Sequence, residues 1–111
     1  MAIQYNTLEE FHKLVEQYKG DGSNPVDLMK IGDETVLDIQ WQNGGTANNA
    51  KNGVFIEDVL AVTYARLASF QDKFPCRENA LALTKIEEAV LWLAQRKAER
   101  EHRDVYGKDE K

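Results

Sequence analysis

The chain has 111 residues, 42% of them hydrophobic, with a formal net charge of -5 and a single cysteine. That length supports one domain with a modest core, and the acidic balance argues against a protein that coats long DNA or RNA through counterion release. The one cysteine, Cys76, leaves no internal disulfide, cysteine-cluster metal site or CxxC redox motif, and without an apolar run of about 18 residues or a signal-peptide pattern the sequence predicts a soluble protein of a reducing compartment.

In chain order, Thr7-Leu8-Glu9-Glu10 has the form of a capping box. Leu8, Phe11, Val15 and Tyr18 then recur at helical spacing, which predicts a helix of about three turns ending before Gly20. The run from Gly20 to Pro25 breaks it. Val26 to Ile31 and Thr35 to Gln42 flank Gly32-Asp33-Glu34, and Leu37, Ile39 and Trp41 alternate with Asp38, Gln40 and Gln42. That period of two predicts a β-hairpin. Asn43 to Gly53 reads as a flexible polar loop, rich in residues that accept left-handed backbone angles.

From Phe55 to about Asp72, the positions of Ile56, Val59, Leu60, Thr63, Leu67 and Phe70 predict a second amphipathic helix, stopped by Phe74-Pro75. A third helix is expected from near Cys76 toward Arg103, roughly 40 Å long. Two long helices joined by a few residues form an αα-hairpin. The turns from Gln95 to Glu101 are almost wholly polar, and a loose tail is expected from Tyr106.

The third helix carries more apolar surface than one partner covers. Ala82, Leu83, Ile86, Ala89, Val90 and Leu93 form one stripe, the face that packs on a core. Leu81 and Trp92 lie well off it, and Ala80 and Leu91 fall on yet another side. A helix apolar on several sides must be buried on several sides, and so short a chain has few elements to do the covering. Self-association is expected.

Catalytic patterns are weak. His12 and His102 lie on separate polar helices with no paired Asp or Cys at a recognisable spacing, and Cys76 fits a helix start better than a nucleophile. Glu87 and Glu88 point about 100° apart on a helix, with no ExxH pattern beside them. Gly44-Gly45 does not precede a helix in a phosphate-loop pattern. The sequence predicts neither a metal site nor a cofactor, and a binding protein rather than an enzyme.

Anion recognition is better represented. All five arginines, Arg66, Arg77, Arg96, Arg100 and Arg103, lie beyond residue 54, and arginine's planar fork suits phosphates and stacks on bases. Arg77 and Thr84 project to nearly the same side of a helix N-terminus, where backbone N–H groups and the dipole favour an anion. Asn79 can meet a base edge, and Phe70 or Phe74 offers a flat surface for stacking. The plainer alternative makes Arg77 and Glu78 helix-start charges and Asn79 a local cap.

These residues resemble a known family. Asn52-Gly53-Val54, Glu57-Asp58-Val59-Leu60, Arg66-Leu67, Phe70-Gln71, the run from Phe74-Pro75-Cys76-Arg77-Glu78-Asn79 through Ala80-Leu81-Ala82-Leu83-Thr84-Lys85-Ile86-Glu87-Glu88-Ala89, and Trp92-Leu93-Ala94-Gln95-Arg96 are similar to the phage helical-hairpin family of anti-defence sponges. That family includes Thoeris and anti-CBASS types. The match covers residues 52–107, and the strand and turn from Ile39 to Gly44 look like the small β part of the Thoeris type. Two positions depart from the pattern: Phe55 stands where a threonine-like cap is expected, and Tyr106 where a glutamate is expected.

The resemblance implies a protein that binds cyclic nucleotide immune signals without cleaving them, so silencing host defence in the bacterial cytoplasm. Its implied ligands are glycocyclic ADP-ribose species, cyclic dinucleotides and cyclic trinucleotides, and its implied assemblies are dimers joined into hexamers. On the matching positions Phe70 is the aromatic platform beneath a base, with Phe74 near enough to exchange that role. Asn79 reads a base or ribose edge, Leu81 packs against it, and Arg96 meets a phosphate. Arg77 and Thr84 are assigned to a second pocket. Asn79 and Arg96 are about 25 Å apart on one straight helix, so a pocket using both must be shared between antiparallel helices of different subunits.

The expected fold is therefore α+β: an N-terminal helix and small β-hairpin (1–53) packed with a long αα-hairpin (54–107), then a loose tail (108–111), in one homo-oligomeric domain. The competing function is a phage helical interaction module that inhibits a host protein through its apolar hairpin face.

Overall fold

The computed structural model describes residues 7–20, 22–45 and 50–102. It is α+β, with helix α1 (Leu8–Tyr18), strands β1 (Val26–Ile31) and β2 (Glu34–Gln40), and helices α2 (Ile56–Lys73) and α3 (Arg77–His102). Arg103 and the tail expected from Tyr106 fall outside the described residues.

Each boundary has a local cause. Thr7 caps α1, its hydroxyl accepting the Glu10 N–H at 3.2 Å, which satisfies one of the orphan donors of the first turn. Gly32 turns the β-hairpin at a φ of 59, a left-handed angle that glycine adopts without steric cost. Pairing runs from Val26 opposite Gln40 to Ile31 opposite Glu34, with a register shift that leaves Val36 without an opposite residue. Such a bulge bends and further twists the ribbon.

Strand β2 stops two residues earlier than the alternation predicts, because Trp41 faces Pro25, which has no N–H to return to the ladder, and Trp41 takes Val54 as a second neighbour. Its N–H donates to the Pro25 carbonyl at 2.6 Å, and it bridges in parallel to Val54. Gln42 donates its N–H to Val54 O, and Val54 to Gln40 O, both at 2.9 Å. Val54, two residues before α2, is thus stitched to the end of the β-hairpin. Gly53 makes the close approach possible, since a Cβ there would press on the Trp41 carbonyl and lie 2.6 Å from Gln40 O. Gly53→Ala should therefore cost about 1–3 kcal/mol, read as a lower thermal midpoint by circular dichroism; an unchanged midpoint would show that the junction is not held as described.

Helix α2 starts without a side-chain acceptor at Phe55. Instead the Phe55 N–H donates to Asp58 Oδ2 at 2.8 Å, half of a capping box, so phenylalanine replaces a threonine-like cap without losing the helix start. The α2–α3 seam contains the half-buried Leu60, Tyr64, Leu67 and Gln71 on one side and Asn79, Leu83, Ile86, Val90 and Leu93 on the other. The alternating steps of four and three are those of a coiled-coil seam.

Extensive packing is confined to β1 against β2 and α2 against α3. The expected leaning of α1 and the β-hairpin on the long helices is reduced to the Trp41–Val54 junction. Among the described residues no hydrophobic side chain is fully buried. The radius of gyration is 16.4 Å, where a compact domain of this length has about 13 Å. The chain exposes 9019 Å², against about 6200 Å² for a compact monomer of its mass.

Candidate functional site

The turn between α2 and α3 is built by three unlike groups. Phe74 closes α2, its N–H donating to Phe70 O at 2.8 Å. Gln71 reaches across the turn, and its Oε1 accepts the Cys76 N–H at 3.0 Å. Cys76 then opens α3, its Sγ accepting the Asn79 N–H at 3.4 Å. The lone cysteine thus has the helix-start position anticipated for it, and Asn79 enters the cap through its backbone, leaving its side chain to other partners.

The proposed site residues divide into three groups. Phe70 lies near the end of α2 with the Arg66 guanidinium 5.3 Å above its ring, while Phe74, 73% exposed, occupies the turn itself. Asn79 is half-buried at the top of the α2–α3 seam. The rest lie along α3 on another face. At about 100° per residue, Leu81, Glu88 and Trp92 fall within about 20° of one line, with Arg77 and Thr84 some 40–60° to one side and Arg96 about 60° to the other. Asn79 is about 160° from Leu81 by the same measure. One chain therefore does not bring Asn79, Leu81 and Arg96 together.

Thr84 donates its hydroxyl to Ala80 O at 3.1 Å, the back-bonding habit of a helical threonine, with oxygen lone pairs still able to accept. Glu88 pairs with Lys85 at 3.5 Å, a solvated bridge worth little by itself. The apolar members of this side are strongly exposed, with Leu91 at 70% and Trp92 at 68%. A groove of about 500 Å³ adjoins them, lined by Leu60, Ala61 and Tyr64 of α2 and Ile86, Val90 and Leu91 of α3, with Glu57 and Glu87 at its edge. Tyr64 is held above its ordinary value of 10.0, first by loss of water between the helices, then by the charge of Glu87 and its hydrogen bond to that carboxylate.

Arg66 was missed by sequence reasoning, although its spacing of four from Phe70 on a helix is the signal for a cation over a ring. Gln71 carried no such signal, because its role depends on how the turn folds back. Among the described residues no cluster of His, Cys, Asp and Glu is arranged to hold a metal ion, and no helix is long and apolar enough to cross a membrane.

A two-helix hairpin with an arginine-bearing, apolar outer face and a small β-hairpin stitched to its base defines a helical-hairpin domain. The family model described as Acb2/Tad1, hairpin domain, matches residues 33–98, so this chain belongs to that family. It is also 49% identical over 74 residues to the protein named Thoeris anti-defense 1 from Bacillus phage SBSphiJ7. That match takes in 66% of this chain and 52% of the relative, so the chain spans about half the length of the curated protein it matches.

Proposed function

We propose that this chain serves phage anti-defence by binding cyclic nucleotide immune signals and holding them intact, in pockets that a second copy completes. The family membership and the name of the 49% identical relative support the biological role. The observation that carries the mechanism is the split of the site: Asn79 in the seam, Arg96 far along α3, and Leu91 and Trp92 exposed near Arg96.

An isologous pair of α3 helices, antiparallel and centred on Leu91 and Trp92, covers both apolar side chains at once. In that arrangement the axial separation between Asn79 and the partner's Arg96 falls from about 25 Å to about 12 Å. Asn79 faces α2, on the far side of α3 from Leu91 and Trp92, so ligand and arginine side chain together must pass around the helix as well as cover this axial gap.

Phe70 and Phe74 then supply stacking, Asn79 a base or ribose edge, Leu81 an apolar wall and Arg96 a phosphate contact. Arg77 and Thr84 line a second pocket at the start of α3. Glycocyclic ADP-ribose, cyclic dinucleotides and cyclic trinucleotides are the ligand classes, and the bacterial cytoplasm is the place of action. Dimers or hexamers are the working assemblies. Sequestration requires slow release and stoichiometric amounts of protein.

Ligand incubated with the protein should be recovered unaltered after heat denaturation, as checked by mass spectrometry; linear fragments would replace this reading with a phosphodiesterase. Micromolar cyclic nucleotide should also raise the thermal midpoint, since a ligand that binds only the native state stabilises it. The exposed Leu91 and Trp92 also favour a second reading, inhibition of a host protein by direct docking. Absence of any shift across a full nucleotide panel would favour it.

A further inference from the structure

We infer that the cleft between the end of α1 and the Trp41 turn is a binding site for an alkylammonium group. The cleft has a volume of about 530 Å³, and Tyr18, Lys19, Asn24, Asp27, Trp41 and Asn43 are among its lining residues. It lies at the opposite end of the sequence from the residues assigned to nucleotides and shares none of them.

Trp41 is a fixed aromatic wall. Its indole N–H donates to Asp27 Oδ2 at 2.6 Å in a partly buried contact, and its backbone N–H is tied to Pro25 O. The adjoining wall is equally constrained. Asn52 Oδ1 accepts the Asn43 N–H at 2.8 Å, the Asn52 amide donates to Asn43 O at 3.2 Å, and the Asn52 N–H donates to Gln42 Oε1 at 2.9 Å. The loop expected to be flexible is thereby pinned at both described ends, and the Trp41 ring is oriented before any ligand arrives.

The Trp41 side of the cleft favours a cation. Asp27 fixes a carboxylate beside the Trp41 ring, and the negative end of the α1 dipole faces this region with no basic residue in the helix's last turn. Trp41 and Tyr18 line the cleft together with the Asp27 carboxylate, and aromatic faces beside a carboxylate are the chemistry that holds ammonium groups. Lys19 is the one cation among the described lining residues. Its flexible stem lets the ammonium swing to solvent, but at rest it opposes a second positive charge. That opposition gives the test its sign.

The probe is tetramethylammonium chloride, followed by the two indole N–H signals in proton–nitrogen NMR spectra of the full chain. Trp41→Phe identifies the Trp41 signal by its loss. Tetramethylammonium should move that signal saturably, while sodium chloride at matched ionic strength and the neutral isostere neopentyl alcohol leave it in place. Tyr18→Ala should weaken binding about five- to tenfold, and Lys19→Ala should tighten it.

An immobile Trp41 signal, equal binding of the neutral alcohol, or weaker binding in Lys19→Ala would each overturn the site. Adenosine monophosphate moving the signal in a Lys19-dependent way would replace it with an anion site. Putrescine and Nα-acetyl-lysine amide distinguish a free amine from a lysine side chain, and saturable binding of either supports the site. The probe contains neither phosphate nor base, so this proposal and the nucleotide reading can fail separately.

Discussion

Trp92→Glu should convert the proposed assembly into monomers at micromolar concentration while leaving the helical circular dichroism signal unchanged. The side chain is 68% exposed within one chain, so its replacement removes little intrachain packing, and glutamate is a good helix former. Between chains the effect is large. A tryptophan at the centre of an interface contributes about 2 kcal/mol or more, and a two-fold axis applies the loss twice. About 4 kcal/mol corresponds to roughly a thousandfold weaker association. Sedimentation velocity measures it directly. A variant with the same mass as the parent would remove Trp92 from the interface and leave the composite site without its geometric basis.

Arg96→Ala should weaken cyclic nucleotide binding about tenfold to a hundredfold, as expected for a charge-assisted hydrogen bond of roughly 1.5–3 kcal/mol. Because Arg96 is exposed, its melting temperature and assembly should stay near those of the parent. Asn79→Ala should behave differently. Asn79 is half-buried in the seam, so this variant should lose affinity and also melt at a lower temperature. Titration calorimetry alongside thermal unfolding separates the two effects. Unaltered affinity for every ligand class in either variant would remove that residue from the site.

Much of the architecture was legible because its determinants are local. Thr7 with Glu10, the alternation through Leu37, Ile39 and Trp41, Gly32 at the turn, and Phe74-Pro75 between the helices each act within a few residues. All five elements follow these signals to within a residue or two. The end of β2 escaped, because Trp41, still bonded to Pro25 O, also bridges to Val54, a contact set by how the chain returns after the loop. The polar run from Asn43 likewise concealed the bonds from Asn52 to Gln42 and Asn43, since composition records which groups can bond but not where the loop returns.

For the candidate site, the sequence by itself determined the inventory: arginines confined to the later part, aromatic side chains beside the helical turn, and apolar residues on more sides of α3 than α2 can cover. Helical periodicity fixes those angles, so Leu81 and Trp92 had to leave the α2-facing stripe. Tertiary folding settled that Asn79 joins the seam and that Trp41, Asp27 and Tyr18 border one cleft. These depend on how separate elements meet, and side chains distant in sequence acquire a common environment only when the intervening backbone has folded.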